Sequence, residues 1–131
     1  MSKSYNNHIN ILASEKVLKK QIMSIVTDSK GLDDSKNPET CNIFQIYKLI
    51  ASENQVQELI DKYKKGGFGY GHAKNELFKL ILEKFQHPRQ KFNELIDNPT
   101  AIENELLNGA KKATQIANSV MKNVKSKLGL D

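Results

Sequence analysis

A glycine-rich turn followed by an apolar stretch constrains the fold of this chain more than any other feature. Residues 66–72 read GGFGYGH, and the apolar residues that follow recur at the spacing of one helix face. Phe78 and Leu82 widen the apolar stripe, so this helix needs cover on more than one side. The pattern predicts a central helix inside a small all-α domain. The positions on its main face are Ala73, Leu77, Leu80, Ile81 and Phe85.

Further apolar periodicities and helix caps predict five more helices. Ser14 can cap the first helix, Asn37 followed by proline opens the second, and Ser52 begins a capping-box motif for the third. Residues 27–36 are predicted as a solvated connection, and Pro88 forces a break because it has no backbone N–H to donate. The predicted fold class is all-α, a compact bundle of about six helices with an irregular N-terminal loop. The helices are expected near residues 14–27, 38–51, 53–65, 71–86, 89–97 and 100–127.

The last predicted helix carries a heptad seam. Apolar or small residues alternate at steps of four and three along it, and its alanines would let a neighbouring helix approach closely. We expect the central helix to cover this seam. Thr100 and Glu103 fit a second capping box at the start of the helix. The members of the seam are Leu106, Ala110, Ala113, Ala117, Val120 and Val124.

The bulk composition limits the class of protein. At 131 residues, with 38% hydrophobic and 27% charged residues, the chain has the properties of one globular domain. Its one cysteine, Cys41, argues against a disulfide framework and favours a cytoplasmic location, and we expect it to be a small buried hydrophobe. No apolar run is long enough to cross a membrane, so no membrane partner is expected. The formal charge of +5 permits a polyanionic partner without requiring one.

Two groups of residues could carry chemistry, and each also has a structural explanation. The glycine run could hold a phosphate, but its spacing fits neither GxGxxG nor the P-loop, so tight turns are the favoured interpretation. Lysines beside the glycine turn and on the outer side of the last helix fit a solvated surface, the commoner case, or contacts with a nucleic-acid backbone. The histidines have no spacing typical of a metal site, and no metal ligand is predicted. The lysines considered for nucleic-acid contact are Lys74, Lys111, Lys112 and Lys122.

The N-terminal tetrapeptide Met1-Ser2-Lys3-Ser4 carries the most specific local signal. On a polar loop, an ammonium together with hydroxyls and backbone amides could surround a triphosphate. With the residues that follow it, the stretch MSKSYNNHI resembles the Lys-Met-Ser-Lys-Ser loop of class I aminoacyl-tRNA synthetases without its first lysine.

The resemblance extends over essentially the whole chain and is greatest to the bacterial tryptophanyl-tRNA synthetases. It implies that the chain begins inside the signature loop and forms the C-terminal part of such an enzyme. Residues 1–13 would be a remnant of the ATP loop, and residues 14–131 the helical domain that contacts the anticodon region of the tRNA. The further matching blocks are residues 22–29, 37–50, 66–74 and 109–130.

By this resemblance the parent enzyme activates tryptophan with ATP and magnesium and attaches it to its tRNA. Met1, Ser2, Lys3 and Ser4 would bind ATP, and Lys3 would have a catalytic role in stabilising the charge on the leaving pyrophosphate. The Rossmann domain, through which the parent would form a homodimer, would precede residue 1. The fragment alone is therefore expected to be an inactive monomer with no bound cofactor and with tRNA as its partner. A stand-alone helical RNA-binding or adaptor module is the alternative.

Overall fold

The computed structural model describes residue 5 and residues 7–130, and this part of the chain contains helices and no β-strand. The all-α prediction is confirmed. A short 3-10 turn, Pro38–Thr40, precedes the second of the α-helices. The helices are α1 (Glu15–Met23), α2 (Asn42–Lys48), α3 (Glu53–Lys65), α4 (Tyr70–Lys84), α5 (Gln86–Asp97) and α6 (Pro99–Leu128). None of the helices in the described ranges combines the length and the hydropathy needed to cross a membrane.

The chain divides within α5 into two units, residues 1–90 and residues 91–131. The core of the first unit lies around α4, which contacts α1 and α2. The predicted face of α4 is buried except for Phe85, which is half-buried. Phe44 of α2 and Tyr63 of α3 place their ring centroids 6.3 Å apart and supply the largest fully buried side chains. The other buried apolar residues are Leu18, Ile22, Cys41, Ile43, Tyr47, Leu59, Ala73, Leu77, Leu80 and Ile81.

The first helix is shorter than predicted. It ends at Met23, and the Oγ of Ser24 donates a hydrogen bond of 2.8 Å to the carbonyl oxygen of Gln21. A serine hydroxyl that bonds to the backbone in this way competes with the continuation of the helix. Val26, which the longer helix would have buried, is 76% exposed.

The second predicted helix, residues 38–51, is two elements. The Asn37 side chain accepts a hydrogen bond of 3.0 Å from the Glu39 N–H and so starts the 3-10 turn as predicted. Cys41 then takes an extended conformation, with φ −94° and ψ 114°, before α2 begins at Asn42. In this conformation the Cys41 side chain is buried, so the prediction of a buried thiol is confirmed.

Two of the predicted helix boundaries lie close to the observed ones, and the local interactions that explain them are present. Ser52 and Gln55 form the expected capping box at the start of α3. The break near Pro88 occurs at Phe85, between α4 and α5. Pro88 itself lies in the first turn of α5, where a helix does not require the missing N–H.

The second unit contains α6, a helix of 30 residues in which no residue is buried. Its start contradicts the predicted capping box of Thr100 and Glu103, because α6 begins at Pro99 and Thr100 is already inside the helix. The helix ends at Gly129, which has a φ of +67° and donates its N–H to the Ser126 carbonyl. The heptad seam is exposed, and its expected cover by α4 stays a prediction.

Candidate functional site

The residues predicted to bind ATP, residues 1–4, lie outside the described part of the chain, which includes only the base of their loop. That base is fixed by two hydrogen bonds. The Asn10 N–H donates to the Gln21 Oε1 on α1 at 3.0 Å, and the Arg89 guanidinium on α5 donates to the Ile11 carbonyl. The Ile11 side chain also packs against the core of the first unit. The chain is therefore held in place a few residues after the predicted ATP-binding tetrapeptide.

A cavity of about 700 Å³ lies beside the base of this loop. Its size is typical of a small-molecule site, and its described lining mixes apolar side chains with polar groups from His8, Gln21 and Asn42. The His8 Nδ1 is buried and has no hydrogen-bond partner among the described residues. The described lining contains no lysine or arginine, so these residues alone do not fit a triphosphate.

The connection after α1 is tied to the start of α4 by a carboxylate and a phenol. The Tyr70 hydroxyl donates a hydrogen bond of 2.7 Å to the Asp28 Oδ1, which also accepts one of 3.1 Å from the Lys30 N–H. The hydrogen bond from Tyr70 is the main reason why the pKa of Asp28 lies below its ordinary value of 3.8. Burial and the same hydrogen bond raise the pKa of Tyr70.

The same connection folds around the buried ammonium of Lys36, which is 3% exposed. The Lys36 Nζ donates to the carbonyl oxygens of Gly31, Asp34 and Leu32 at 2.7, 2.9 and 3.3 Å. It also lies 5.3 Å from the centroid of the Tyr70 ring. The prediction of a solvated connection is therefore confirmed for residues 28–35, which are exposed, and wrong for Lys36. No sequence signal identifies this site, because its acceptors are backbone carbonyls that every residue carries.

The glycine run forms a turn against that connection. Gly66 and Gly67 have φ values of +78° and +71°, in the region that favours glycine. A Cβ atom on Gly66 would lie 2.4 Å from the carbonyl oxygen of Asp33. The turn and the positive φ values agree with the structural interpretation of the glycine run, whereas the close approach to Asp33 was not predicted.

The structure places the lysines predicted for nucleic-acid contact in different surroundings. The Lys74 Nζ in the first unit is half-buried and donates a hydrogen bond of 2.9 Å to the Met23 carbonyl at the C-terminal end of α1. Lys111, Lys112 and Lys122 are exposed on α6 in the second unit. Lys74 is thus engaged within its own unit, whereas the three lysines of α6 face solvent. Among the described residues, no group of three His, Cys, Asp or Glu side chains is placed to hold a metal ion.

Comparison with known proteins gives the family. The chain belongs to the class I tRNA synthetases of the tryptophan and tyrosine group (W and Y), since the model of that family matches residues 1–86. The chain is similar to the tryptophan–tRNA ligase of Campylobacter jejuni strain RM1221, with 50% identity over 130 residues that cover 99% of this chain and 41% of that protein. The tryptophan–tRNA ligase of Fusobacterium nucleatum is 49% identical, with 99% of this chain and 40% of that protein covered.

Solved structures give the same relationship. The crystal structure of the tryptophanyl-tRNA synthetase from Campylobacter jejuni superposes on this chain with a TM-score of 0.91 at 50% identity. The match covers 99% of this chain and 42% of the synthetase chain. A second structure of that enzyme, complexed with ADP and tryptophan, also gives a TM-score of 0.91. The chain thus spans about two fifths of the length of the relatives it matches.

Proposed function

We propose that this chain is the C-terminal helical part of a tryptophanyl-tRNA synthetase, which activates tryptophan with ATP and magnesium in the cytoplasm and attaches it to tRNA. The observation that carries the proposal is 50% identity across 99% of the chain, together with a TM-score of 0.91, to a synthetase whose structure contains ADP and tryptophan. Similarity of fold alone would not support a function, but identity of this extent includes the side chains as well. Residues 1–13 would complete the ATP site, and residues 14–131 would contact the tRNA.

In this proposal Lys3 supplies positive charge to the phosphates of ATP. Its ammonium would stabilise the charge that develops on pyrophosphate as tryptophan attacks the α-phosphate, and magnesium would neutralise part of the remaining charge. One observation on the described residues supports this role. The hydrogen bonds of Asn10 and Ile11 hold the loop base, so less conformational freedom is lost when the tetrapeptide closes on the nucleotide.

The test is the Lys3→Ala variant in an enzyme extended to the full length of its relatives. Because the ammonium acts where charge develops, we expect adenylate formation to slow by roughly 100-fold and ground-state ATP affinity to change less than about tenfold. Pre-steady-state measurement of tryptophan activation gives both values. Lys16→Ala, which removes an exposed lysine on α1, is the matched control and leaves both values unchanged. An unaltered activation rate in the Lys3 variant rules out its proposed role.

By themselves, the 131 residues are expected neither to form tryptophanyl adenylate nor to bind ATP measurably. A donor stabilises a transition state only where a complete site holds the reacting atoms, and the second wall of that site would be the Rossmann domain. The same domain would carry the homodimer contact proposed for the parent enzyme. Pyrophosphate exchange measured on the chain alone tests this expectation. Exchange activity would contradict the proposal that catalysis requires the Rossmann domain.

We also propose that the exposed lysines of α6 contact the phosphates of the tRNA. Lys111, Lys112 and Lys122 face solvent, whereas the Lys74 ammonium bonds to a carbonyl and would contribute less. Binding of the matching tRNA is expected to be weak and to decrease steeply with salt, because each phosphate that a lysine neutralises releases counterions. The double variant Lys111→Ala, Lys112→Ala should lower the slope of affinity against salt by about two, roughly one for each lysine removed. Tight binding that is indifferent to salt would exclude the proposal.

A further inference from the structure

The connection between α1 and the 3-10 turn encloses a positive charge that no carboxylate pairs with directly. Lys36 is 3% exposed, and the contacts that its ammonium makes all lie within the first unit. None of the ion pairs in the described part of the chain includes this lysine. A buried charge is costly unless polar groups replace the water around it. The groups that surround the ammonium therefore decide whether the connection can keep this fold.

The acceptors around the ammonium match its donors in number. A protonated lysine has three N–H donors and no acceptor. Three carbonyl oxygens, those of Gly31, Leu32 and Asp34, accept hydrogen bonds from the Lys36 Nζ. We call these three oxygens the carbonyl cage. The ammonium also lies over the Tyr70 ring, whose face attracts a cation. The cage and the ring together replace the hydration that a primary ammonium loses on burial.

The carbonyl cage has supports that do not involve the ammonium. The Gly31 N–H donates a hydrogen bond of 2.7 Å to the Asp34 Oδ2 and so closes the turn that carries the three carbonyls. The Lys36 backbone N–H donates one of 2.8 Å to the Tyr63 carbonyl in the last turn of α3. Neither bond uses the Lys36 side chain, so both remain available when that side chain is shortened. The cage should then persist as a small cavity lined by carbonyl oxygens.

We propose that the carbonyl cage is a binding site for a primary ammonium group, which the chain fills with its own Lys36. The tethered ion closes the connection onto the start of α4, where the Tyr70 ring lies. Because the covalent tether keeps the effective concentration of the ion high, the connection needs no external ligand. With its three donors engaged, Lys36 is also unavailable to an external anion. The proposal concerns the folding of the first unit and does not depend on ATP or tRNA binding.

Removal of the tether from the whole chain tests the site. Lys36→Ala deletes the outer carbons and the nitrogen of the side chain, a group that the propylammonium ion replaces. Because charge-assisted hydrogen bonds are lost, protection of the backbone N–H at position 36 against hydrogen exchange should fall by roughly 100-fold. Propylammonium chloride at about 100 mM should restore roughly tenfold of this protection. Tetramethylammonium chloride at the same concentration has the charge but no N–H donor, and should restore none.

Two further variants are the controls. Lys36→Met keeps an apolar chain in the carbonyl cage, so it should lose protection as Lys36→Ala does and gain none from propylammonium. Lys30→Ala removes an exposed lysine that donates to the Ser35 carbonyl in the same connection, and should change the protection by less than about threefold. The proposal is overturned if Lys36→Ala keeps its protection, if propylammonium does not restore it, or if both salts restore it equally. Restoration of Lys36→Met by propylammonium would also overturn it.

Two measurements cover the case in which a variant does not fold. If Lys36→Ala is unfolded in buffer, propylammonium should restore its helical circular dichroism and tetramethylammonium should not. In the unaltered chain, NMR should show the Lys36 ammonium protons exchanging with water at least roughly tenfold more slowly than those of the exposed Lys30. The Lys36 signal is assigned by its change in chemical shift when Tyr70→Leu removes the ring. Equally rapid exchange of the two ammonium groups would show that no cage encloses Lys36.

Discussion

At the residue scale, the close approach of Gly66 to the connection after α1 gives the sharpest prediction. Gly66 has a φ of +78° and a ψ of −179°, and its Cα faces the Asp33 carbonyl so closely that a Cβ would lie 2.4 Å from the oxygen. Gly66→Ala adds backbone strain and a backbone overlap, and should lower the free energy of unfolding by about 3 kcal/mol or more. Chemical denaturation followed by circular dichroism measures the decrease.

Gly67→Ala is the matched control for this prediction. Gly67 has a similar φ of +71°, but nothing lies within 4 Å of the position that its Cβ would take. The variant therefore tests backbone strain without overlap, and should lower the free energy of unfolding by only about 1 kcal/mol. Equal decreases in the two variants would show that the approach to Asp33 has no energetic importance.

The hydrogen bond between Tyr70 and Asp28 gives a prediction for pH. It lowers the pKa of Asp28 below 3.8, so the carboxylate stabilises the fold above that pH, and this contribution is lost as the pH falls through the lowered pKa. Tyr70→Phe removes the hydroxyl, and the pKa of Asp28 should rise toward 3.8. Titration of the Asp28 carboxyl carbon by NMR measures both values. An unchanged pKa in the variant would mean that the Lys30 N–H or nearby cations dominate.

At the scale of the secondary-structure element, two helices with serine at the N-cap position allow the energetic contribution of the side-chain cap to be tested. The Ser52 Oγ accepts a hydrogen bond from the Gln55 N–H, whereas the Ser14 side chain makes no such bond at the start of α1. Ser52→Ala should therefore lower the free energy of unfolding by about 1 kcal/mol, and Ser14→Ala by a few tenths at most. Urea denaturation of the two variants makes the comparison. A larger decrease from Ser14→Ala would contradict the role of the side-chain bond.

At the scale of the whole molecule, the two units should differ in local stability. α4 buries four residues, whereas α6 buries none. Opening α6 therefore exposes little apolar surface and costs little free energy. Hydrogen exchange followed by mass spectrometry should show the slowest exchange in α4 and the fastest helical exchange in α6 when the protein is dilute. Equal protection of the two helices in dilute solution would show that α6 is covered within the single chain.

The local features of the fold could be predicted from the sequence. The face of α4, the Ser52 capping box and the break before Pro88 each depend on residues within one or two helical turns of one another. Features of this kind can be predicted from nearby residues because helix formation depends on local spacing and on local hydrogen bonds. The ATP site at residues 1–4 rests on the resemblance to a signature loop and stays a prediction, because these residues lie outside the described part of the chain.

Only the tertiary structure decided which residues meet across the chain. The sequence by itself indicated helices, a family resemblance and a set of lysines. It gave no reason to expect different surroundings for Lys36 and Lys74, because both fitted a solvated surface. Lys36 is buried among carbonyls, and Lys74 bonds to the end of a helix 51 residues before it. Gly66 needs to be glycine because the Asp33 carbonyl lies against it. These partners are backbone atoms distant in sequence, and every residue carries the same carbonyl, so no pattern of side chains could have predicted them.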